Sequence, residues 1–340
     1  MSKIKNYLSL IKFTHTIFAM PFALIGFFIG LAKSINADFD VPGMGGYHHK
    51  TGVVQWNLNK TIGWTDNNNL RPPFSSDSLL GKLFTGNADL ATVGFYLLLI
   101  ILCMIFARSA AMAFNRYLDR VFDAKNTRTA IREIPSGIIT PKNALIFTIV
   151  SCALFLVTCF FINRLCFYLS PVALAVVLGY SYTKRFTPLC HLILGLGLSL
   201  APIGAYLAVT GSFSLLPVIF SLAVIFWVSG FDIIYALQDE EFDRSQQLYS
   251  IPAWLGKAKA LRVSELLHVF SAAAILYAGY YGEFGWLYWA GTAVFIGMLA
   301  YQHSIVKPTD LRKVNLAFMT ANGIASVVFA IFVITDLFIN

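Results

Sequence analysis

Charge is what this chain has least of. Only 12% of its 340 residues are Asp, Glu, Lys or Arg, while 57% are hydrophobic. A soluble globular chain carries about 25% charged residues, so an ordinary soluble fold is excluded and an integral membrane protein is expected. Acidic residues are the scarcer sign, 17 against 25 basic, for a net charge of +8. That excess does not make a nucleic-acid surface, because no basic block with interleaved aromatics occurs, and nucleic acid is not an expected partner. Cysteine is also sparse. Cys103, Cys152, Cys159, Cys166 and Cys190 lie in or beside apolar segments, form no CxxC or Cys/His ligand pattern, and are expected to pack. The alternation over about ten residues that marks a membrane barrel is missing as well.

What is present is a series of long apolar runs. They predict an all-α integral membrane fold with nine transmembrane helices, at about 11–33, 91–114, 142–162, 165–182, 190–210, 213–234, 258–280, 284–302 and 314–338. Lys3 and Lys5 precede the first run, and Ile35-Asn36-Ala37 resembles a cleavage site. Phe13 to Ala32 is nonetheless uncharged and long enough to span, and it reads as a retained first helix. Pro21, Pro171, Pro202 and Pro217 fall in or near the runs, where neighbouring helices can satisfy the freed carbonyls. The basic residues gather in alternate loops and span ends. That places the N-terminus on the cytoplasmic side of the inner membrane and, with nine spans, the C-terminus on the other. The segment 34–90 is polar, rich in Gly, Asn and Pro, and carries His48-His49 and Pro72-Pro73. Adjacent histidines with no third ligand read as part of a solvated loop. The chain is therefore expected to be one domain, 1–340, interrupted by an extracytoplasmic insertion at 34–90.

Two acidic clusters stand out against this apolar background. In Asn115-Arg116-Tyr117-Leu118-Asp119-Arg120-Val121-Phe122-Asp123, positions i, i+4 and i+8 drift only about 40° per step on a helix, so Asn115, Asp119 and Asp123 share a face. An amide and two carboxylates are hard oxygen ligands suited to magnesium. Taken alone, the stretch reads equally well as a juxtamembrane helix with solvated charges. The loop after the sixth run repeats the pattern: Asp232 and Tyr235, then Asp239 and Asp243 at i, i+4. Acidic residues near a membrane interior are costly and mark functional sites. Arg128, Arg132, Lys184 and Arg185 fall on the same expected side and offer phosphate partners, although each singly reads as an orientation anchor. Two clusters of carboxylates on one side would repel unless divalent cations and an anionic substrate balance them, so Mg2+ and a diphosphate are the expected ligands. A lipid-lined chamber beside such a site suggests ionisation of a prenyl diphosphate and attack by an electron-rich aromatic acceptor.

These residues resemble the motifs of the UbiA superfamily of intramembrane aromatic prenyltransferases, and within it the 4-hydroxybenzoate polyprenyltransferases. The family's N-D-x-x-D-x-x-x-D is similar to Asn115 through Asp123. Its R-T…R-x-x-P-S-G element is similar to Arg128-Thr129 through Arg132 and Pro135-Ser136-Gly137. Its Y-x-x-x-K loop resembles Tyr180 through Lys184, and its D-x-x-Y-A-x-x-D-x-x-x-D resembles Asp232-Ile233-Ile234-Tyr235-Ala236-Leu237-Gln238-Asp239 through Asp243. The resemblance implies nine helices around a central chamber with a cytoplasmic cap formed by the two acidic-motif loops. It implies magnesium and diphosphate binding for Asn115, Asp119, Asp123, Asp239 and Asp243. Diphosphate contacts are implied for Arg128, Arg132 and Lys184, with Arg185 beside them, and Tyr180 near the reacting carbon. Asp232 is the candidate for placing the acceptor or receiving its proton. The partners so implied are a polyprenyl diphosphate, an aromatic acceptor and the bilayer, with no protein partner required.

Two departures bear on the acceptor. Arg116 stands where the family pattern often has aspartate, which removes one carboxylate. The phrases Arg108-Ser109-Ala110-Ala111-Met112-Ala113-Phe114-Asn115 and Phe231 through Asp239 resemble a branch tied to the futalosine route to menaquinone. Haem, chlorophyllide and lipid-glycerol acceptors, used by other branches, are the rivals within the superfamily. From another class, an ion-coupled transporter predicts an inverted repeat and charges near the midplane, whereas these clusters sit at span ends on one side.

Overall fold

The computed structural model describes residues 3–11, 18–35, 77–84 and 89–339. The His48-His49 pair and most of the 34–90 segment lie outside the described residues. Thirteen α-helices follow in order: α1 Lys3–Leu10, α2 Met20–Ile35, α3 Leu79–Phe84, α4 Leu90–Lys125, α5 Pro141–Ile162, α6 Arg164–Thr183, α7 Cys190–Thr210, α8 Leu215–Ala236, α9 Glu240–Ser245, α10 Ile251–Leu255, α11 Lys257–Tyr281, α12 Trp286–Ile305 and α13 Asn322–Ile339. A π-helical segment, Leu316–Ala321, leads into α13.

Among the described residues, seven helical segments are long and apolar enough to cross a membrane. The chain is an all-helical, multi-pass membrane protein. The expected count of nine is not reached on that measure. Helix α12 is diluted by its Trp, Tyr, Gln and His residues, and the apolar part of α2, Met20–Ala32, is short. The expected first span is described as helix only from Met20.

Helix boundaries follow local chemistry. Asp89 starts α4 with a capping box: its Oδ1 accepts the Thr92 N–H at 2.9 Å, and Thr92 Oγ1 accepts the Asp89 N–H at 3.3 Å. Thr140 caps α5 just before Pro141, which has no N–H to lose at that position. Asn163 caps α6 through Oδ1 and donates from Nδ2 to the Leu207 carbonyl at 2.9 Å, so one side chain tethers α6 to α7. Asp336, buried on α13, accepts the N–H groups of Gly285 and Tyr288 and so caps α12 from another helix.

Helix α8 lies at the centre, packed between α7 and α11; α2 packs on α7 and α13, and α4 on α5. Trp227, Phe22, Phe220, Phe295 and Phe329 form an aromatic core around it, all fully buried. Trp227 Nε1 donates to Asn322 Oδ1 at 2.9 Å, so the indole is satisfied inside that core. Large apolar side chains such as Ile149, Phe160, Phe161 and Val269 face outward on α5 and α11, as lipid-facing positions require.

The acidic motifs are not carried by loops. Helix α4 runs about three turns past the expected span end, because no Gly or Pro interrupts Asn115 to Lys125; it ends where Asn126 turns extended. Asp239 lies on a single 3-10 turn and Asp243 on α9. The true loops follow each motif. The first, 126–140, is pinned by Ile134 and Ile139 packing with Leu10 of α1, and by the Ser9 hydroxyl on Glu133.

Candidate functional site

The cavity at the ends of α4, α6, α7 and α8 has a volume of about 250 Å³. Its wall contains every residue singled out above: Asn115, Asp119, Asp123, Arg128, Arg132, Tyr180, Lys184, Arg185, Asp232, Asp239 and Asp243. Residues more than a hundred positions apart meet there because α4 extends as helix beyond the apolar run, while α8 is followed by a 3-10 turn and α9.

Asp119, Asp123, Asp239 and Asp243 each face a motif base. Arg128 straddles Asp239, with Nε 3.1 Å from Oδ1 and Nη2 on Oδ2, while Asn126 Nδ2 donates to the same Oδ1 at 3.2 Å. Arg132 Nη1 stands 2.6 Å from Asp123 Oδ1. Lys184 Nζ stands 2.6 Å from Asp243 Oδ1, and Ser250 Oγ donates to Oδ2 at 2.9 Å. Arg185 Nη2 lies 3.5 Å from Asp119 Oδ1, and Asn115 Nδ2 donates to Asp119 Oδ2 at 3.1 Å. Burial works against the Lys184 ammonium, but the charge of Asp243 outweighs it and holds the amine above its ordinary pKa. Arg128 is likewise pushed up: burial opposes its charge, and Asp239 and Tyr235 outweigh it. Arg128 Nη1 also donates to Tyr235 Oη at 3.1 Å, and the Tyr235 ring lies 4.4 Å from that of Phe318.

Four further residues of the wall bear on its chemistry. Arg116 is buried, 3% exposed, with Nε and Nη1 free of hydrogen-bond partners. Arg108, two turns earlier on the same helix face, has an unpartnered Nε. His191 Nδ1 lies 2.7 Å from Asp232 Oδ2. Phe318 enters from the π-helical segment. The sequence motifs name none of the four in a binding role. Arg108 and Arg116 sit among apolar residues, where a buried charge is itself a signal; His191 follows Cys190 at the start of an apolar run and carries no pattern.

A second cavity, of about 380 Å³, opens between α4, α5, α6 and α7 and is lined almost wholly by apolar side chains. Arg108, Tyr180, Leu194 and Leu198 line both cavities. Cys103, Cys159 and Cys166 lie in the apolar wall as free thiols, in keeping with a packing role, while Cys190 reaches the polar cavity.

The donor chemistry fits a divalent cation of the hard class. Five oxygen-bearing side chains line one wall, and Asp123 Oδ2 is buried with no hydrogen-bond donor. Among the described residues no three carboxylates or histidines converge on one point, because each acid leans on its base. An ion held by Asn115, Asp119, Asp123, Asp239 and Asp243 therefore requires those bases to release the acids.

Residues 79–324 match the UbiA prenyltransferase family. The chain is 30% identical over 244 residues to a 4-hydroxybenzoate octaprenyltransferase of Nitrosomonas europaea, an alignment covering 71% of this chain and 82% of that one. It is 31% identical over 222 residues to the Klebsiella pneumoniae protein of the same name, covering 65% and 77%. Among solved structures, the fold is similar to an apo UbiA homologue from Aeropyrum pernix K1, with TM-score 0.67, 25% identity and coverage of 96% and 97%. It is similar also to a UbiA homologue from Archaeoglobus fulgidus bound to DMAPP and Mg2+, with TM-score 0.63, 19% identity and coverage of 98% and 100%. The matched motifs, the helical fold and these relatives agree: the chain belongs to the UbiA prenyltransferase family.

Proposed function

We propose that this prenyltransferase moves a polyprenyl group from polyprenyl diphosphate to an aromatic quinone precursor, 4-hydroxybenzoate or a related acid, in a magnesium-dependent reaction of ubiquinone or menaquinone biosynthesis. The observation that carries this reading is the shared wall of the two cavities. A charged cavity of acids and bases lies against an apolar one, with Arg108 and Tyr180 in the wall of both, which suits a substrate with an anionic head and a long apolar tail. Relatives named 4-hydroxybenzoate octaprenyltransferase support the acceptor class, and the same fold holds DMAPP and Mg2+ in the Archaeoglobus fulgidus homologue.

In this reading Arg128, Arg132, Lys184 and Arg185 leave their carboxylates for the diphosphate oxygens as substrate enters. Asn115, Asp119, Asp123, Asp239 and Asp243 are then free to hold Mg2+, which when bound neutralises the leaving diphosphate. Tyr180, at the junction of the cavities, stands beside the carbon whose C–O bond breaks, and the surrounding aromatic and apolar side chains exclude water from the allylic cation. Asp232 faces the acceptor and receives its proton as aromaticity returns. The proposal includes one domain spanning 1–340 around the 34–90 insertion, with the N-terminus cytoplasmic and the C-terminus outside.

Membranes carrying the wild-type protein, given polyprenyl diphosphate and a panel of aromatic and futalosine-type acceptors, are expected to yield one prenylated product by mass spectrometry. EDTA should abolish it and Mg2+ restore it. Asp119→Ala and Asp239→Ala should abolish transfer while leaving folded protein; near-normal turnover in both sinks the metal assignment.

A further inference from the structure

His191 belongs to neither acidic motif, yet its side chain is 4% exposed and both ring nitrogens are engaged. Nε2 lies 3.3 Å from the backbone nitrogen of Ile251, and Nδ1 lies 2.7 Å from Asp232 Oδ2. A backbone N–H can only donate, so Nε2 accepts and the ring proton sits on Nδ1, aimed at the carboxylate. That tautomer commits Oδ2 of Asp232, a carboxylate that lines the cavity, and leaves Oδ1 as its other oxygen. The main chain is held too, since the His191 carbonyl accepts from Ser229 Oγ at 3.1 Å.

The far side of the imidazole is fixed by a short strut. The Tyr249 N–H donates to the Lys184 carbonyl at 2.7 Å, Ser250 Oγ donates to Asp243 Oδ2 at 2.9 Å, and the Ile251 N–H reaches His191. Asp243 and Ser250 are fully buried, and Ile251 is 5% exposed. Consecutive residues thus tie the proposed diphosphate side of the cavity to the ring that holds Asp232.

We propose that His191 is a positioning residue for prenyl transfer: held by the 249–251 strut, it fixes the Asp232 carboxylate toward the acceptor. The inference rests on the reading of Asp232 given above. As the prenyl carbon bonds to the acceptor ring, the C–O electron pair leaves with the diphosphate. The substituted ring carbon then gives its proton to Asp232 Oδ1, and His191 keeps its own proton on Nδ1. One proton moves, and the imidazole stays neutral throughout.

The test uses the purified full chain in detergent, with the acceptor found in the product screen, and compares wild type with His191→Leu, His191→Asn and His191→Gln. The Leu variant is expected to lower kcat about 10- to 100-fold, with KM for the prenyl diphosphate within about twofold of wild type. The Asn variant, whose amide N–H falls near the position of Nδ1, should recover most of that loss, and the Gln variant should not. Thermal melting reports folding; should the Leu variant not fold, the contrast between Asn and Gln decides. Wild-type kcat in the Leu variant, equal losses in all three, or a loss confined to KM for the diphosphate overturns the inference alone. A wild-type protein that releases no diphosphate with any acceptor overturns the prenyl-transfer reading, and the inference with it.

Discussion

Lys184 and Asp243 meet at 2.6 Å, the lysine just past the end of α6 and the aspartate fully enclosed on α9. The pair staples two motifs that lie far apart in sequence, and it is asymmetric, because the Lys184 side chain is 35% exposed. Removing the lysine leaves a buried carboxylate with Ser250 as its donor. Lys184→Met is therefore expected to cost about 1–3 kcal/mol, below the range for a fully buried pair because one end meets solvent. The double variant Lys184→Met/Asp243→Leu should cost less than the sum of the singles. Thermal unfolding in detergent across the four proteins measures both values.

Arg116 is expected to separate stability from binding. A buried guanidinium with two unpartnered nitrogens is a cost to the fold that an anionic ligand would offset. Arg116→Met should raise KM for prenyl diphosphate about tenfold, the effect of losing one charge-assisted contact, while thermal stability stays level or rises. Steady-state kinetics and a melting curve on the same sample check both directions.

Gly26 of α2 faces Pro202 of α7 so closely that a Cβ would sit 2.0 Å from the Pro202 carbonyl oxygen. Small residues at such crossings let membrane helices approach. Gly26→Ala should destabilise by about 1–3 kcal/mol, as overpacking of a fitted contact does. Gly94, in the interior of α4 with nothing within 4 Å of its would-be Cβ, is the control. Gly94→Ala should be neutral or stabilise by about 0.5–1 kcal/mol through helix propensity. Melting temperatures of the two variants in one detergent decide it.

In the loop after α12, Arg312 brackets Asp310, with Nε and Nη2 at 2.9 and 2.7 Å from its two oxygens. Those bonds, then the Arg312 backbone N–H, hold the Asp310 carboxyl well below the usual carboxylate range. A depressed carboxyl stabilises the fold above its unfolded pKa of about 3.9, and that contribution fades as pH falls through the lower folded value. The melting difference between wild type and Arg312→Ala should therefore be constant from about pH 5 to 8, vanish on strong acidification, and shrink in high salt.

The membrane class and the long helices were legible in the sequence, because length and hydrophobicity alone decide what crosses a bilayer; the short helices α1, α3, α9 and α10 were not. Asn115, Asp119 and Asp123 were legible as one helical face for the same local reason: helical periodicity needs no tertiary information. Asp239 and Asp243 were legible by their repeat of that spacing. Arg116 was visible only as a gap in a pattern, since a sequence does not show that a guanidinium is enclosed and half-satisfied. His191 was not legible at all. Its partners Asp232 and Ile251 lie 41 and 60 positions away, and no local spacing encodes that meeting.

The sequence by itself therefore determined the helical membrane fold and the face shared by Asn115, Asp119 and Asp123, which depend on composition and on a repeat of 3.6 residues per turn; Asp239 and Asp243 keep that spacing but lie on a 3-10 turn and on α9. Tertiary structure alone decided which base closes on which acid, that Arg108 and Tyr180 stand in the wall of both the charged and the apolar cavity, and that His191 holds Asp232. Those relationships depend on how α4, α6, α7 and α8 cross, and crossing is fixed by the shapes of distant side chains packing together.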